Sequence, residues 1–211
     1  MQETLDEYVF EFSGGNLALD FANTVSARPG DPRSPRREHL RTYEDLLAWS
    51  RQVGLIDPTQ ADRLGAWARR SPARATAALD RAIAAREAIY GVFSTVAARC
   101  EPNPADLDLL NAELGRALHR ARVVRTGTDY TWGWADRTDD LDRPLWPVVR
   151  AAADLLTAAD RDRVRERAAA WCGWLFLDRS HAGRRQWCDM KTCGNRAKAR
   201  RHYARAKGEV S

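Results

Sequence analysis

Long apolar runs are missing from this chain of 211 residues. No stretch approaches the roughly 18–20 apolar residues that a membrane-spanning helix needs. The opening residues, Met1 to Glu7, are acidic where a secretion signal would be basic and then apolar, so a cytoplasmic protein is expected. Cysteine and histidine are sparse, with four of each. In a cytoplasmic protein such cysteines are thiols or metal ligands rather than disulfide partners. The histidines are His39, His119, His181 and His202, and no metalloprotease, nucleotide-binding or nucleophile-elbow motif accompanies them. Lysine is scarce beside alanine, arginine and aspartate, a composition that points to GC-rich bacterial DNA. Internal repeats and low-complexity linkers are absent too.

What is present suits a soluble globular chain, with 44% apolar and 30% charged residues, long enough for one domain and a small appendage. The charge is unevenly placed. Residues 161–211 carry 14 basic and 5 acidic side chains, while residues 1–160 carry 20 basic and 24 acidic ones. An acidic body with a strongly basic end marks the end as a nucleic-acid contact.

The body reads as mainly α-helical. A short helix is expected over Leu17–Val25 and a second from Tyr43 to its stop at Gly54. Asp57-Pro58 and Asn103-Pro104 each pair a capping side chain with proline at the first helical position, and so open two more. Between these a long helix spans about Ala73 to Ala98. Leu107, Leu110, Leu114 and Leu118 lie on one face of the helix expected after Asn103. Val123 to Trp134 reads as a β-hairpin turning near Gly127. Helix is expected again over Leu145–Leu156 and Asp160–Ala170.

One charged residue breaks the pattern. On the long helix Leu79, Ala82, Arg86, Ile89, Phe93 and Val96 share a face, which points Arg86 at the core. A buried guanidinium requires partners, and Asp20 and Asn23 on the first helix are the candidates. The plain reading is an internal polar network. The sharper reading is a small-molecule pocket walled by Trp132, Trp134 and Trp146, with Arg86 and Arg150 as anion anchors.

The C-terminal end carries the most specific chemistry. Cys172, Cys188 and Cys193 look like a zinc knuckle of four thiolates with one ligand gone. Residues 173–178 and 184–188 are expected to pair as a hairpin, followed by a helix from Ala197 to Lys207. Arg196, Lys198, Arg200, Arg201 and Arg205 spread around that helix, and Arg184 and Arg185 precede the knuckle. Such an all-round basic surface suits contact with DNA phosphates.

The run from Cys172 to Arg201, with Cys193-Gly194-Asn195-Arg196 at its centre, resembles the CGNR zinc finger. The body resembles the ABATE domain, a stress-induced transcription regulator. The resemblance rests on Leu17 to Thr24, Glu44 to Trp49, Arg86 to Tyr90, Trp132-Gly133-Trp134 and Leu145 to Leu156. It implies a helical domain over 1–160, a zinc-finger subdomain of ββα type over 161–211, and a bacterial DNA-binding regulator with four cysteines on zinc. At the place of the family's first cysteine this chain has Arg167, because Arg167 to Cys172 repeats the interval from Cys188 to Cys193. Arginine has no lone pair to give a metal. Zinc could be held by three thiolates with His181, His202 or water, be held weakly, or be replaced by Arg167 paired with a thiolate or stacked on Trp171. Cys100 is expected as a buried thiol. The reading is a ligand-sensing helical domain with a degenerate zinc-finger tail; the alternative is a family member repurposed as an enzyme at the Arg86/Trp132 pocket.

Overall fold

The computed structural model describes residues 8–28, 35–135, 140–167 and 172–180. Six helices, three two-stranded antiparallel sheets and one 3-10 turn make up the described part. Helix α1 (Leu17–Ala22) starts at Asn16, whose side chain accepts from the Ala18 N–H. After α1, β1 (Val25–Ser26) pairs with β2 (Arg37–Glu38). Helix α2 (Tyr43–Gln52) opens on a reciprocal cap between Thr42 and Asp45, and Gly54 at φ 79° lets the chain leave it. Helix α3 (Pro58–Arg70) opens on the same device between Asp57 and Gln60.

Helix α4 (Pro72–Ala97) is the central rod, 26 residues long and so about 39 Å at 1.5 Å per residue. It contacts α1, α2, α3, α5 (Pro104–Arg120) and α6 (Trp146–Thr157). Leu79, Ala82, Arg86, Ile89 and Phe93 are buried on it as their spacing predicts, with Val96 half-buried beyond them. Phe21 and Trp49 meet at 4.9 Å between ring centroids in the same core. Between α5 and α6 projects the hairpin of β3 (Ala121–Thr126) and β4 (Asp129–Trp134), turning at Gly127. No helix among the described residues is long and apolar enough to cross a membrane.

Three elements differ from the sequence reading. The first helix, expected to reach Val25, ends at Ala22, capped at Asn23, and Val25 is taken into β1 by its pairing with Glu38. The buried stripe of α5 runs through Leu110, Glu113 and Ala117, and Leu118 is exposed. Packing on both α4 and α6 rotates that helix away from its leucine-only face. Over residues 160–167 the expected helix is replaced: a 3-10 turn (Ala159–Arg163) leads into β5 (Val164–Glu166), which pairs antiparallel with β6 (Leu175–Leu177), while 168–170 lie outside the described residues. The partner of β6 thus lies upstream, and the expected strand at 184–188 lies outside the described residues. The pairing is non-local, and it buries Val164, Leu175, Phe176 and Leu177, which overrides the helical propensity of an Arg/Glu-rich segment.

Candidate functional site

Arg86 is fully buried, and its partners are carboxylates from two directions. Its Nη1 and Nη2 each donate to Glu38 at 2.6 Å, Nε donates to Glu87 at 2.9 Å, and Nη1 also reaches the Thr24 hydroxyl at 3.2 Å. Asp20 and Asn23, expected as its partners, have other work. Glu87 is shared: Arg28 donates to it at 2.6 Å and Arg36 lies 3.2 Å away. Burial pushes the Glu38 and Glu87 carboxyls up, but their arginine hydrogen bonds outweigh it and hold both below the usual carboxylate range. Both acids are therefore charged at neutral pH, and Arg86 is compensated from within the chain.

The ladder continues toward the C-terminus. The Arg28 guanidinium lies 3.9 Å from the centroid of the Tyr90 ring and also donates to the Ala22 carbonyl. The Tyr90 hydroxyl donates to Glu166 at 2.6 Å, and Ser94 donates to the other oxygen at 2.5 Å. Glu166 is the last residue of β5, next to Arg167. One face of α4 thus ties the loop before α2 to the strand that leads into the cysteine cluster.

From the other side α1 grips β6. The Asn23 amide behaves like a strand edge, accepting from Leu175 N–H at 2.9 Å and donating to Leu175 C=O at 2.8 Å. Trp174 donates its indole N–H to the Val25 carbonyl, and Leu177 N–H donates to Gly14 C=O, both at 2.8 Å. Gly14 in turn donates to Asp20 Oδ1 at 2.8 Å. Burial pushes the Asp20 carboxyl up to about 6, with the Gly14 hydrogen bond acting the other way. Asp20 and Asn23 position the C-terminal strand pair rather than lining a pocket with Arg86.

The remaining residues of the expected pocket form a separate group. Arg150 stacks 4.4 Å from the centroid of Trp132, and Trp134 packs against Trp146 at 5.8 Å. Beside Trp146 opens a cleft of about 490 Å³ lined by Arg116, His119, Arg120, Asp140 and Asp142. Among the described residues Arg86 is held by Glu38, Glu87 and Thr24, and Trp132 by Arg150, two different sets of partners. Glu87 and Tyr90 fall in the stretch Arg86 to Tyr90 that carries the family resemblance, whereas Glu38, Arg28 and Glu166 carried no sequence signal.

In the cysteine cluster, Arg167 and Cys172 are both buried, and Arg167 N–H donates to Trp174 C=O at 3.0 Å, extending the β5–β6 ladder. Arg167, where the sequence interval led a fourth ligand to be expected, is a buried guanidinium, a cation that brings no lone pair. The residues present do not fit a zinc site of four thiolates. Among the described residues no group of three or more His, Cys, Asp or Glu could hold a metal ion. Cys188, Cys193, His181, His202 and the basic residues Arg184, Arg185, Arg196, Lys198, Arg200, Arg201 and Arg205 lie outside the described residues. Cys100, expected to be buried, is exposed at the end of α4, beyond the reach of the core.

The profile of ABATE, described as "Putative stress-induced transcription regulator", matches residues 15–159. The chain belongs to the ABATE family. A second profile, the CGNR zinc finger, matches residues 163–206, in the order ABATE then finger. No curated protein matches the chain. The ABATE match ends in the 3-10 turn after α6, so β5 and β6 fall within the zinc-finger match. Those strands nonetheless share the core of the ABATE helices: Val164, Leu175 and Leu177 belong to the same buried cluster as Phe21, Trp49 and Phe93.

Proposed function

We propose that this ABATE protein is a DNA-binding transcriptional regulator whose helical domain senses a small ligand and whose basic end holds DNA. The observation that carries the reading is the attachment of the finger's first strands to the sensing body. Asn23, Gly14 and Val25 hold β6, and Tyr90 with Ser94 holds Glu166 on β5. A change in the packing of α1 or α4 therefore bears directly on the segment that begins the zinc-finger match. Residues 161–211, with 14 basic against 5 acidic side chains, supply the phosphate contacts, chiefly Arg184, Arg185, Arg196, Lys198, Arg200, Arg201 and Arg205.

The ligand cleft of this reading is the one beside Trp146. Its charged groups are already paired at the rim, Arg116 with Glu113 at 3.3 Å, Arg120 with Asp140 at 3.1 Å and Asp142 with Arg81. A small polar ligand carrying both signs of charge would bind by exchanging with these pairs. Arg86 is set apart from it by its saturation with Glu38 and Glu87. Zinc belongs to the family's finger, and this chain brings three thiols to it, Cys172, Cys188 and Cys193.

The test is a gel shift across salt concentrations. Removing two phosphate contacts in Arg200→Ala/Arg201→Ala should weaken binding to all sequences alike and reduce the slope of log affinity against log salt by about 1.8. Unchanged retention at low and moderate salt would exclude these residues as the DNA contact.

A further inference from the structure

The β3–β4 hairpin meets the core only at its base, where Trp134 packs on Trp146, and it takes no part in the ionic ladder. Tyr130 is 73% and Trp132 51% exposed, with Val123 and Val124 also facing solvent. A lone two-stranded hairpin is marginal in water, and an open apolar edge is a template for a further strand. The backbone shows which groups that edge offers. Ala135 N–H donates to Arg120 C=O at 2.7 Å, so counting back in twos, Gly133, Thr131 and Asp129 turn their backbone groups toward β3. Tyr130, Trp132 and Trp134 turn theirs outward. Among the described residues this sheet has only its two strands.

We propose that β4 pairs antiparallel with β4 of a second copy of this chain, about a two-fold axis through Thr131. In that register Tyr130 stands opposite Trp132 of the second copy, and Trp132 opposite its Tyr130. Each such pair joins two outward-facing backbones, so both exchange N–H···O bonds, and both bring aromatic rings together. On the other face Asp129 stands opposite Gly133 of the second copy, over whose Cα that copy's Val124 side chain lies. Beyond that glycine, on the same face, lies Arg122, its cross-strand partner in the hairpin. With strands about 4.8 Å apart, Asp129 and Arg122 of the second copy lie about 10 Å apart at Cα, within the combined reach of the two side chains.

The aromatic wall is set before any partner arrives. Arg150 stacks 4.4 Å from the Trp132 centroid, and Trp134 is seated on Trp146. Arg150 is itself paired with Asp154 at 3.5 Å, and Arg125 donates to the Gly127 carbonyl in its own turn. On the hairpin itself Arg122 and Arg125 stand against Asp129, a net charge of only +1. That suits a copy of itself better than a polyanion, and self-complementarity is what a two-fold contact requires.

Sedimentation velocity of the full chain, in reductant because Cys100 is exposed, tests this. The wild type should show concentration-dependent association toward twice 23.8 kDa. Thr131→Lys sets two like charges face to face on the axis and should give a monomer with unchanged circular dichroism, since Thr131 is exposed. Thr131→Glu should do the same, and mixing the two variants should restore the dimer. A wild type that stays monomeric to its solubility limit would overturn the proposal, as would a dimer that Thr131→Lys leaves intact. A monomer whose DNA retention falls on Trp132→Ala would overturn it too, and would assign the hairpin to nucleic acid.

Discussion

Replacing Asp20 with asparagine should stabilise this protein at neutral pH, against the usual sign for a change to a buried polar residue. Asp20 is 8% exposed, and its carboxylate accepts from Gly14 N–H at 2.8 Å. Its carboxyl is pushed up to about 6 by burial, from 3.8 in the unfolded chain. At 1.36 kcal/mol per pH unit, holding it ionised above pH 6 costs about 3 kcal/mol relative to the neutral form. Asparagine keeps an acceptor for Gly14 and removes the charge, while its amide N–H groups need new partners, so a net gain of about 1–3 kcal/mol is expected. The pH dependence makes the argument specific. A carboxyl raised in the folded state binds its proton more tightly there, so the wild type gains stability as pH falls from above 6 toward 3.8. Asp20→Asn lacks that gain, and the gap between the two should close over the same window. Urea unfolding at pH 7.5, 6 and 4.5 measures both quantities. A variant destabilised at pH 7.5, or a gap that does not change with pH, would refute the burial argument.

Two further outcomes follow from the same region. Asn23→Ala strips Leu175 of both its hydrogen-bond partners in a buried setting and should cost about 2–4 kcal/mol in urea unfolding, with β5 and β6 gaining fast amide exchange before the α4 core does. Metal analysis of purified protein should find well under one zinc per chain, and Arg167→Cys should raise it toward one; full occupancy in the wild type would mean that a group other than residue 167 completes the set.

Much of the helical body was legible because its signals are local. The caps at Asp57-Pro58 and Asn103-Pro104, the stop at Gly54 and the turn at Gly127 each specify backbone geometry within four residues. The burial of Arg86 was legible too, from helical spacing alone. Its partner was not. Glu38 lies 48 residues away on a short strand, and nothing local distinguishes it from other exposed-looking acids. The β5 strand failed for the same reason. Its residues favour a helix, and only the distant Leu175, Tyr90 and Ser94 make it a strand. On α5, periodicity counted leucines, but the buried face was decided by two neighbouring helices, which brought Glu113 inward. Sequence spacing also gave the missing zinc ligand, yet it could not show that Arg167 would sit at the end of a strand ladder inside the core.

The strands of the zinc-finger match are also a wall of the ABATE core, and this has an evolutionary consequence. Recombination that removed the chain after residue 160 would take Val164, Leu175 and Leu177 out of the cluster that holds Phe21 and Phe93, and would leave the Asn23 amide facing water. Recombination that kept the finger alone would expose the same apolar strands. Neither half is a cassette. The ABATE helices and the strands that open the zinc-finger match are walls of one core, and neither is expected to fold without the other.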